Sequence, residues 1–295
     1  MVTVFHRNAK GVAVKKDYAD KRHDEDGLLI QRQLQRTLAK TAYAVQGHRE
    51  AFFADPDDIE TNHHLRTHIR RLRSLVAFVK PWQRSKQNAE TQAILKRIVG
   101  HTSLLRELDV FEGQVRADQG SSPELVALCA DAAATERAKV LDALASKPLA
   151  RSFRRAMSLA KNVEWKKRYA THALDQSAVR ARYDGMVESV RAELDALDLA
   201  DEEHTHDVRK RAKRTRYVAE LCADLLGSDA VDAAKDMTAH QDDLGDICDA
   251  RANVRLIDEF LERDLSASVR QELLQLRARN EGYLSDVLDA NGNRR

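Results

Sequence analysis

Residues that form turns are scarce in this chain. Its 295 residues include only 11 Gly and 4 Pro, and no proline occurs after position 148. Sheets and Rossmann-like folds place Gly and Pro at their many turns, so this composition disfavours both classes. Apolar residues recur instead at intervals of three and four, which is typical of amphipathic helices. The sequence therefore predicts an all-α fold without strands.

Helix boundaries follow from capping residues and breaks in the apolar pattern. Residues 1–26 are polar and aperiodic, which predicts a flexible N-terminal lead-in, and a helix over residues 28–54 is ended by Asp55-Pro56. A second helix is predicted from Asp57 or Asp58 to about Pro81. Ser122 as the N-cap, followed by Pro123, begins another helix. The remaining helices are predicted over residues 89–115, 148–160, 172–199, 201–226, 229–264 and 267–289.

The formal net charge of +2 conceals a strong segregation of charge along the chain. Residues 61–89 contain no Asp or Glu, whereas residues 209–216 contain six Lys or Arg among eight positions. Residues 224–249 contain eight Asp and a single Lys or Arg. Blocks of one sign form either a solvated face or a binding surface for a partner of opposite charge. The spacing within the blocks decides between these readings.

The two basic blocks match each other at a single offset. Placing His63 on His206, 143 residues later, also places four further basic residues of the first block on basic residues of the second. Glu107 falls on Asp249 at an offset of 142. The match predicts a tandem duplication of a four-helix unit, with halves at residues 27–160 and 171–290 packed about an approximate two-fold axis. The matched pairs are Arg66 and Arg209, Arg70 and Lys213, Arg71 and Arg214, and Arg73 and Arg216.

Helical spacing places the basic residues of each block on one face. Each residue turns a helix by about 100°, so positions three, four and seven apart share a face. Each basic face borders an apolar row, which predicts a groove or a seam between helices. Like charges repel there unless an acid or a bound anion compensates them, so the alternatives are ion pairs with residues 224–249 or a linear polyanion. We call these faces the stripes: His63, Arg66, Arg70 and Arg73 in the first half, and His206, Arg209, Lys213 and Arg216 in the second.

Other basic residues lie close to the stripes in the predicted helices. Arg71 and Arg214 flank them and are expected to add positive charge. His63 and His206 occupy the first turn of each helix, where each either donates a hydrogen bond to an oxyanion or is satisfied by a backbone carbonyl. A last group lies on the helix before each stripe and either extends a groove or forms solvated surface: Arg32, Arg36, Lys40, Arg180 and Arg182.

The segments HHLRTHIRRLR (residues 63–73) and HDVRKRAKRTRY (residues 206–217) resemble the two signature helices of the CHAD family, the conserved histidine α-helical domain. The similarity covers residues 27–290 and includes LLRELDV (104–110), LASKPLARSFRR (144–155) and LGDICDA (244–250). The family has a duplicated helical-bundle fold that binds inorganic polyphosphate in a central basic groove or pore. The resemblance implies polyphosphate binding without catalysis, cofactor or metal, in the cytoplasm and at polyphosphate granules.

The chain departs from this pattern at two places. Lys213 stands where the first half has Arg70, which keeps the charge but loses the planar guanidinium. Thr102 and Ser103 stand where the second half has Leu244 and Gly245, so the local turn of the first half is not predicted. The E-x-E-x-K signature of the triphosphate-tunnel domain that often accompanies the family is absent, in line with binding rather than catalysis.

Other functions remain alternatives at this stage. A helical nucleic-acid-binding protein would share the basic stripes, but only 5% of the residues are Phe, Trp or Tyr, which are the side chains that stack on bases. A metal-dependent polyphosphate hydrolase would need a carboxylate cluster beside the stripes, and the His206-Asp207 dipeptide lies among positive charges that repel a cation. His64 and His68 lack the Glu of a zinc-protease motif, since Leu65 takes its place. With no long apolar run and three isolated Cys, the sequence predicts a cytoplasmic protein without a membrane span.

Overall fold

The computed structural model describes the backbone of residues 10–292 and the side chains of residues 28–169, 172–238 and 242–291. The described residues form α-helices and no strand, with one isolated antiparallel bridge between Gln83 and Trp165. The all-α prediction is confirmed. In chain order the helices are α1 (Lys10–Ala54), α2 (Ile59–Val79), α3 (Ser85–His101), α4 (Ser103–Ala117), α5 (Pro123–Ala145), α6 (Lys147–Lys161), α7 (Lys167–Thr171), α8 (Gln176–Asp195), α9 (Glu202–Leu221), α10 (Ala223–Leu226), α11 (Ser228–Leu261) and α12 (Ala267–Gly292).

Side-chain caps begin the helices that carry the stripes. The Asp58 carboxylate accepts a hydrogen bond of 2.9 Å from the backbone amide two residues later and so starts α2. Asp201 accepts one of 2.9 Å from the amide three residues later and starts α9. Ser122 caps α5, with Pro123 at its first position. Such caps satisfy amide groups that the first turn leaves free and contribute about 1 kcal/mol each. The predicted starts of α2 and α5 are confirmed.

Two predicted segments differ from the observed helices. Helix α1 begins at Lys10, so the lead-in predicted over residues 1–26 is helical from that residue on, while residues 1–9 lie outside the described residues. The helix predicted over residues 89–115 is interrupted at Thr102, where α3 ends and α4 follows. Its counterpart α11 continues unbroken for 34 residues.

The two halves of the chain share one apolar core. Helix α1 packs on α2, α8 packs on α9, and α2 packs directly on α9. The largest apolar cluster combines residues of both halves, such as Leu72 of α2 and Tyr183 of α8. A second cluster around Phe111 and Phe260 joins α4, α5, α11 and α12. Because the core continues from one half into the other, the halves belong to one folded unit.

Apolar faces fix the orientation of the stripe helices. Leu65 and Ile69 of α2 and Val208 and Ala212 of α9 are fully buried. The basic residues next to these rows are thereby held at the edge of the core. None of the described helices has both the length and the apolar character needed to cross a membrane.

Candidate anion-binding site

Helices α2 and α9 bring the two stripes close to each other. Burial lowers the pKa of Arg70 on α2, and the charge of Arg209 on α9 lowers it further. Burial likewise lowers the pKa of His206 on α9, with Arg70 among the repelling charges. The pKa of Arg73 on α2 is lowered by burial and then by Arg214 of α9. These interactions act across the seam between the helices, so residues of both stripes lie within reach of one ligand.

Arg70 is reached by solvent although neighbouring protein atoms crowd its guanidinium. Its side chain is exposed to solvent, yet burial is the largest cause of its lowered pKa. Both observations hold when protein atoms surround the guanidinium on most sides while water still reaches it. His206 and Arg214 show the same combination of solvent exposure and a pKa lowered chiefly by burial.

Lys213 is the amine of the second stripe. Burial lowers its pKa to about 8, and the positive charges of Arg209 and Arg70 contribute to the decrease. The Asp249 carboxylate opposes them. An amine with this pKa is partly neutral near pH 8, and a bound anion would favour its charged form.

Arg66 is placed inside the protein rather than on the open surface. It is 5% exposed. Its Nη1 donates hydrogen bonds to the Thr102 hydroxyl at 2.7 Å, to the Val99 carbonyl at 3.1 Å and to the Ser103 hydroxyl at 3.3 Å. Burial lowers its pKa to about 9. The sequence placed Arg66 in a stripe at a groove or seam between helices, and in the fold its guanidinium is held by acceptors at the interruption between α3 and α4.

Arg209, the match of Arg66, has a different environment. Its guanidinium packs against Gly245 of α11, where an added Cβ would lie 3.2 Å from Nη2. The Asp249 carboxylate lies 3.9 Å from the same nitrogen. The Nε of Arg209 is buried and has no hydrogen-bond partner among the described residues. The positive charge of Arg209 is therefore only loosely compensated.

Glu220, near the end of α9, compensates two predicted site residues. Its carboxylate forms an ion pair with Arg71 of α2 and lies 3.6 Å from the Nε of Arg216. Both guanidinium groups lie over the Tyr217 ring, 5.5 Å and 5.1 Å from its centre. Arg71 and Arg216 are thus partly neutralised within the protein. Glu220 lies four residues after Arg216, a helical spacing that would have identified this pair from the sequence.

Of the two arginines predicted at the start of α8, only Arg182 remains available. Arg180 donates to the Asp184 carboxylate at 2.8 Å and pairs with Asp229 at 2.6 Å, and these bonds raise its pKa. It therefore ties α8 to the start of α11 and does not extend a groove. Arg182 is exposed and has no ion pair among the described residues, and its charge contributes to the lowered pKa of Arg214 after burial. Residues two apart on a helix point about 200° apart, so only one of the pair could face the stripes.

The basic residues predicted on α1 separate in a similar way. Arg36 and Lys40 line a groove of about 620 Å³ that also contains Arg71 and Glu220. Arg32 is exposed one turn earlier and does not line this groove. The prediction that α1 extends the basic surface stays a prediction, with Arg36 and Lys40 placed in a groove beside α2.

Neither signature histidine is tied to a backbone carbonyl. The rings of His63 and His206 have no hydrogen bond to the described residues. Burial lowers the pKa of His63, with Arg106 as the next cause. For His206, Lys210 is the next cause after burial. Both rings are therefore neutral at pH 7 and are free to donate to an incoming anion.

Arg106 of α4 is a basic residue that the sequence analysis missed. Its charge contributes to the lowered pKa of His63, Arg66 and Arg70, after burial in each case. It forms no ion pair among the described residues. The second half has Cys248 at the matched position, so a search for duplicated basic residues passes over it. Arg106 directly precedes Glu107, which has a match in Asp249 of the second half. This neighbour is the sequence signal that could have identified Arg106.

Acidic and histidine side chains do not assemble into a metal site in the described part of the chain. No group of three or more His, Cys, Asp or Glu there could hold a metal ion. The rings of His48, His64 and His68 cluster at the seam of α1 and α2, with centroids of His48 and His68 3.9 Å apart. The rings of His48 and His68 are stacked, whereas those of His48 and His64 are tilted with their centroids 5.5 Å apart.

Two solved structures share this fold. The crystal structure of the CHAD domain from the plant Ricinus communis matches with a TM-score of 0.71 at 20% sequence identity, over 88% of this chain and 90% of that chain. PptA from Streptomyces chartreusis matches with a TM-score of 0.66 at 14% identity, over 86% of this chain and 95% of that chain. At these identities the similarity establishes the fold alone.

The sequence itself matches a known family. No protein with a curated description matches the chain. The family model of the CHAD domain matches residues 36–258, which include both stripes and more than half of the chain. With the all-helical fold and the two signature helices in place, this chain belongs to the CHAD domain family.

Proposed function

We propose that this protein binds inorganic polyphosphate, without converting it chemically, on the surface formed by the stripes of α2 and α9. The observation that carries the proposal is the packing of α2 on α9, which brings the basic residues of two different helices to one seam, where Arg70, Arg209 and Lys213 repel one another. The acids that oppose this repulsion are Glu107 and Asp249. A bound polyanion would relieve the repulsion and accept charge-assisted hydrogen bonds from the guanidinium groups.

The layout of the site favours a chain of phosphates over a nucleic acid. The basic side chains are distributed along several turns of α2 and α9, so a linear polyanion would contact them repeatedly and release its counterions. Single-stranded nucleic acids are bound with the help of exposed aromatic faces. Tyr217 and Trp82, the aromatic residues beside the basic groups, are only 7% and 4% exposed. They offer little surface on which a base could stack.

We infer that the stripes arose by tandem duplication and pack about an approximate two-fold axis. The offset of 143 residues between their basic positions supports this inference. The helix pairings correspond as well, since α1 with α2 resembles α8 with α9, and α4 with α5 resembles α11 with α12. Such an axis would place the two stripes around one central basic groove.

Polyphosphate binding can be tested by comparing polyanions over a salt series. We expect the wild-type protein to bind long-chain polyphosphate more tightly than single-stranded RNA or duplex DNA at equal charge concentration. Arg70→Glu and Arg209→Glu are each expected to weaken polyphosphate binding by about tenfold or more and to reduce the salt dependence. Arg97→Glu, at an exposed position of α3 outside the stripes, is the matched control. Arg66→Glu is unsuitable because Arg66 is buried.

Three outcomes would contradict the proposal. Nucleic acids could bind as tightly as polyphosphate, or both stripe variants could bind like the wild type. Release of orthophosphate from polyphosphate in the presence of Mg²⁺, and its loss in the stripe variants, would indicate a hydrolase instead.

The same proposal includes a cytoplasmic location at polyphosphate granules. A fluorescently tagged chain is expected to concentrate at granules in cells that accumulate polyphosphate. The Arg70→Glu variant should lose this concentration while remaining at the same total level. A wild-type chain that stays evenly distributed in such cells would contradict this part of the proposal.

A further inference from the structure

Two grooves lie beside the stripe helices, one lined by residues of α1 and α2 and the other by residues of α8 and α9. The α1 groove, about 620 Å³ in volume, is lined by Arg36, Lys40, His68, Arg71, Glu220 and Asp224 among others. The α8 groove, about 740 Å³, is lined by Trp82, Arg182, Met186, Arg211 and Arg214 among others.

The two grooves occupy matching positions in the two halves. His68 and Arg71 of the α1 groove lie 143 residues before Arg211 and Arg214 of the α8 groove. This is the offset that aligns the stripes. Each groove lies beside one stripe helix and close to the end of the other, because the α8 groove includes Trp82 after α2 and the α1 groove includes Glu220 of α9.

Two acids that line the α1 groove, Glu220 and Asp224, make the grooves electrostatically different, because the residues at the matched positions are Ala77 and Pro81. Glu220 pairs with Arg71 and lies close to Arg216, so an anion in the α1 groove would meet a carboxylate and arginines that are already engaged. The residue 143 positions before Glu220 is Ala77, one turn after Arg73. The α8 groove therefore lacks an acid at the corresponding place.

The arginines of the α8 groove are less compensated than those of the α1 groove. None of the described residues that line the α8 groove is Asp or Glu. Arg211 pairs with Glu193 outside the lining, while Arg182 and Arg214 are exposed and form no ion pair among the described residues. Arg73 of the first stripe lies close enough to Arg214 for its pKa to be lowered by it, after burial. Arg214, which directly follows Lys213 of the second stripe in α9, thus brings positive charge from the stripe helix to the lining of the α8 groove.

We propose that a polyphosphate chain bound at the stripes continues into the α8 groove along Arg214 and Arg182, and that Glu220 closes the α1 groove to it. This inference rests on the proposed function and adds the direction in which the bound polyphosphate chain continues from the stripes. A phosphate in the α1 groove would have to displace the Glu220 carboxylate from Arg71 or lie beside it. In the α8 groove it would gain contacts with the guanidinium groups of Arg182 and Arg214, which form no ion pair among the described residues.

The direction of the bound chain can be tested by replacing exposed arginines of either groove with glutamine, which carries no charge. We expect Arg182→Gln and Arg214→Gln each to weaken long-chain polyphosphate binding by about three- to tenfold and to lower the salt slope by about 0.7 to 0.9, the value for one phosphate contact in nucleic acids. Arg36→Gln in the α1 groove is expected to cost less than about twofold. Tripolyphosphate is too short to occupy both the stripes and a groove, so its affinity should change little in all three variants. Arg116→Gln, on α4 outside both grooves, is the control.

Exchanging Glu220, the acid that pairs with Arg71, and its match Ala77 provides a reciprocal test. Glu220→Gln is expected to tighten long-chain binding by about threefold or more, and in that background Arg36→Gln should become costly. Ala77→Glu should weaken long-chain binding by a similar factor, because it places a carboxylate near Arg214. Thermal unfolding of each variant shows whether a change in affinity reflects a change in folding.

The outcomes separate this inference from the function on which it rests. Equal losses in Arg36→Gln and Arg182→Gln, or no effect of Glu220→Gln, with a wild-type protein that binds polyphosphate, would overturn the direction alone. A wild-type protein that binds no polyphosphate would overturn the proposed function and the inference with it.

Discussion

The stripes of α2 and α9 have similar residues at matched positions, but the fold uses the first arginine of each differently. Arg66 is buried and donates three hydrogen bonds to the interruption between α3 and α4. Arg209 is only partly buried, its Nε has no partner among the described residues, and Asp249 lies 3.9 Å from its guanidinium. One arginine is hydrogen-bonded within the fold, and the charge of the other is only loosely compensated.

The difference originates in the helix that follows each stripe. In the first half the chain breaks at Thr102, where the Val99 carbonyl and two hydroxyl groups accept hydrogen bonds from Arg66. In the second half α11 is continuous, and its interior carbonyl groups are engaged within the helix. Gly245 leaves room for the Arg209 guanidinium without offering a side-chain acceptor. A repeated motif therefore preserves the residue types without preserving their surroundings.

The largest difference in the free energy of unfolding is expected between variants in which Arg66 or Arg209 is truncated to alanine. Arg66→Ala should lower the free energy of unfolding by about 3 kcal/mol, because it leaves a cavity and removes the donor from buried acceptors. Arg209→Ala should lower it by about 0.5 kcal/mol or less, since its guanidinium holds no close hydrogen bond. Urea titration of both variants measures the difference, and equal losses would contradict the assignment of Arg66 to the fold.

A smaller loss of stability is expected when Thr102 and Ser103 are replaced by the residue types of the second half, leucine and glycine. The double variant Thr102→Leu/Ser103→Gly removes two acceptors of Arg66 and should lower the free energy of unfolding by about 2 kcal/mol. Ser103→Gly alone is the control and should cost less, because its hydrogen bond to Arg66 is the longest of the three, at 3.3 Å. A double variant as stable as the wild type would show that the hydroxyl groups do not hold Arg66.

The pH dependence of binding tests the second stripe. Burial lowers the pKa of Lys213 to about 8, and the pKa values of His63 and His206 are lowered as well. A bound polyanion favours the charged form of each group, so binding takes up protons and affinity should rise as the pH falls from 8.5 to 6. The expected gain is about three- to tenfold.

Lys213→Arg separates the lysine from the histidines in this experiment. Arginine stays charged throughout the range, so the variant should lose the part of the pH dependence near pH 8 and keep the part that the histidines contribute at lower pH. Isothermal titration in buffers of different ionisation enthalpy measures the protons taken up. An affinity that stays constant between pH 8.5 and 6 in the wild type would contradict the prediction.

The smallest effect is expected at Gly245. In Gly245→Ala the new Cβ would lie 3.2 Å from the Nη2 of Arg209, so the end of that side chain has to move. Polyphosphate affinity should fall by about twofold, while the free energy of unfolding should rise by up to about 1 kcal/mol because alanine favours the helix. Gly113→Ala, with nothing close to its Cβ position, is the matched control for helix propensity. Equal affinities in the two variants would show that the close packing of Arg209 on Gly245 has no role in binding.

Parts of the site were predictable because they depend on local periodicity. Spacings of three and four residues correctly placed Arg70 and Arg73 together on α2, and the offset between the blocks identified Lys213 and Arg209 as residues of the matching helix. The environment of Arg66 was not predictable, since it depends on the interruption between α3 and α4 thirty-six residues later. Arg106 lacks a basic match in the second half and was missed for that reason.

The sequence by itself determined that this chain is helical, where most helices begin, and that two basic stripes border its apolar rows. These properties follow from interactions within a few residues of each position. The tertiary structure decided that Arg66 is buried, that Arg180 is held by two carboxylates, and that Glu220 compensates Arg71. Burial and ion pairing depend on residues far apart in the chain, and only the packing of α2 against α9 and of each against its neighbours brings those residues together.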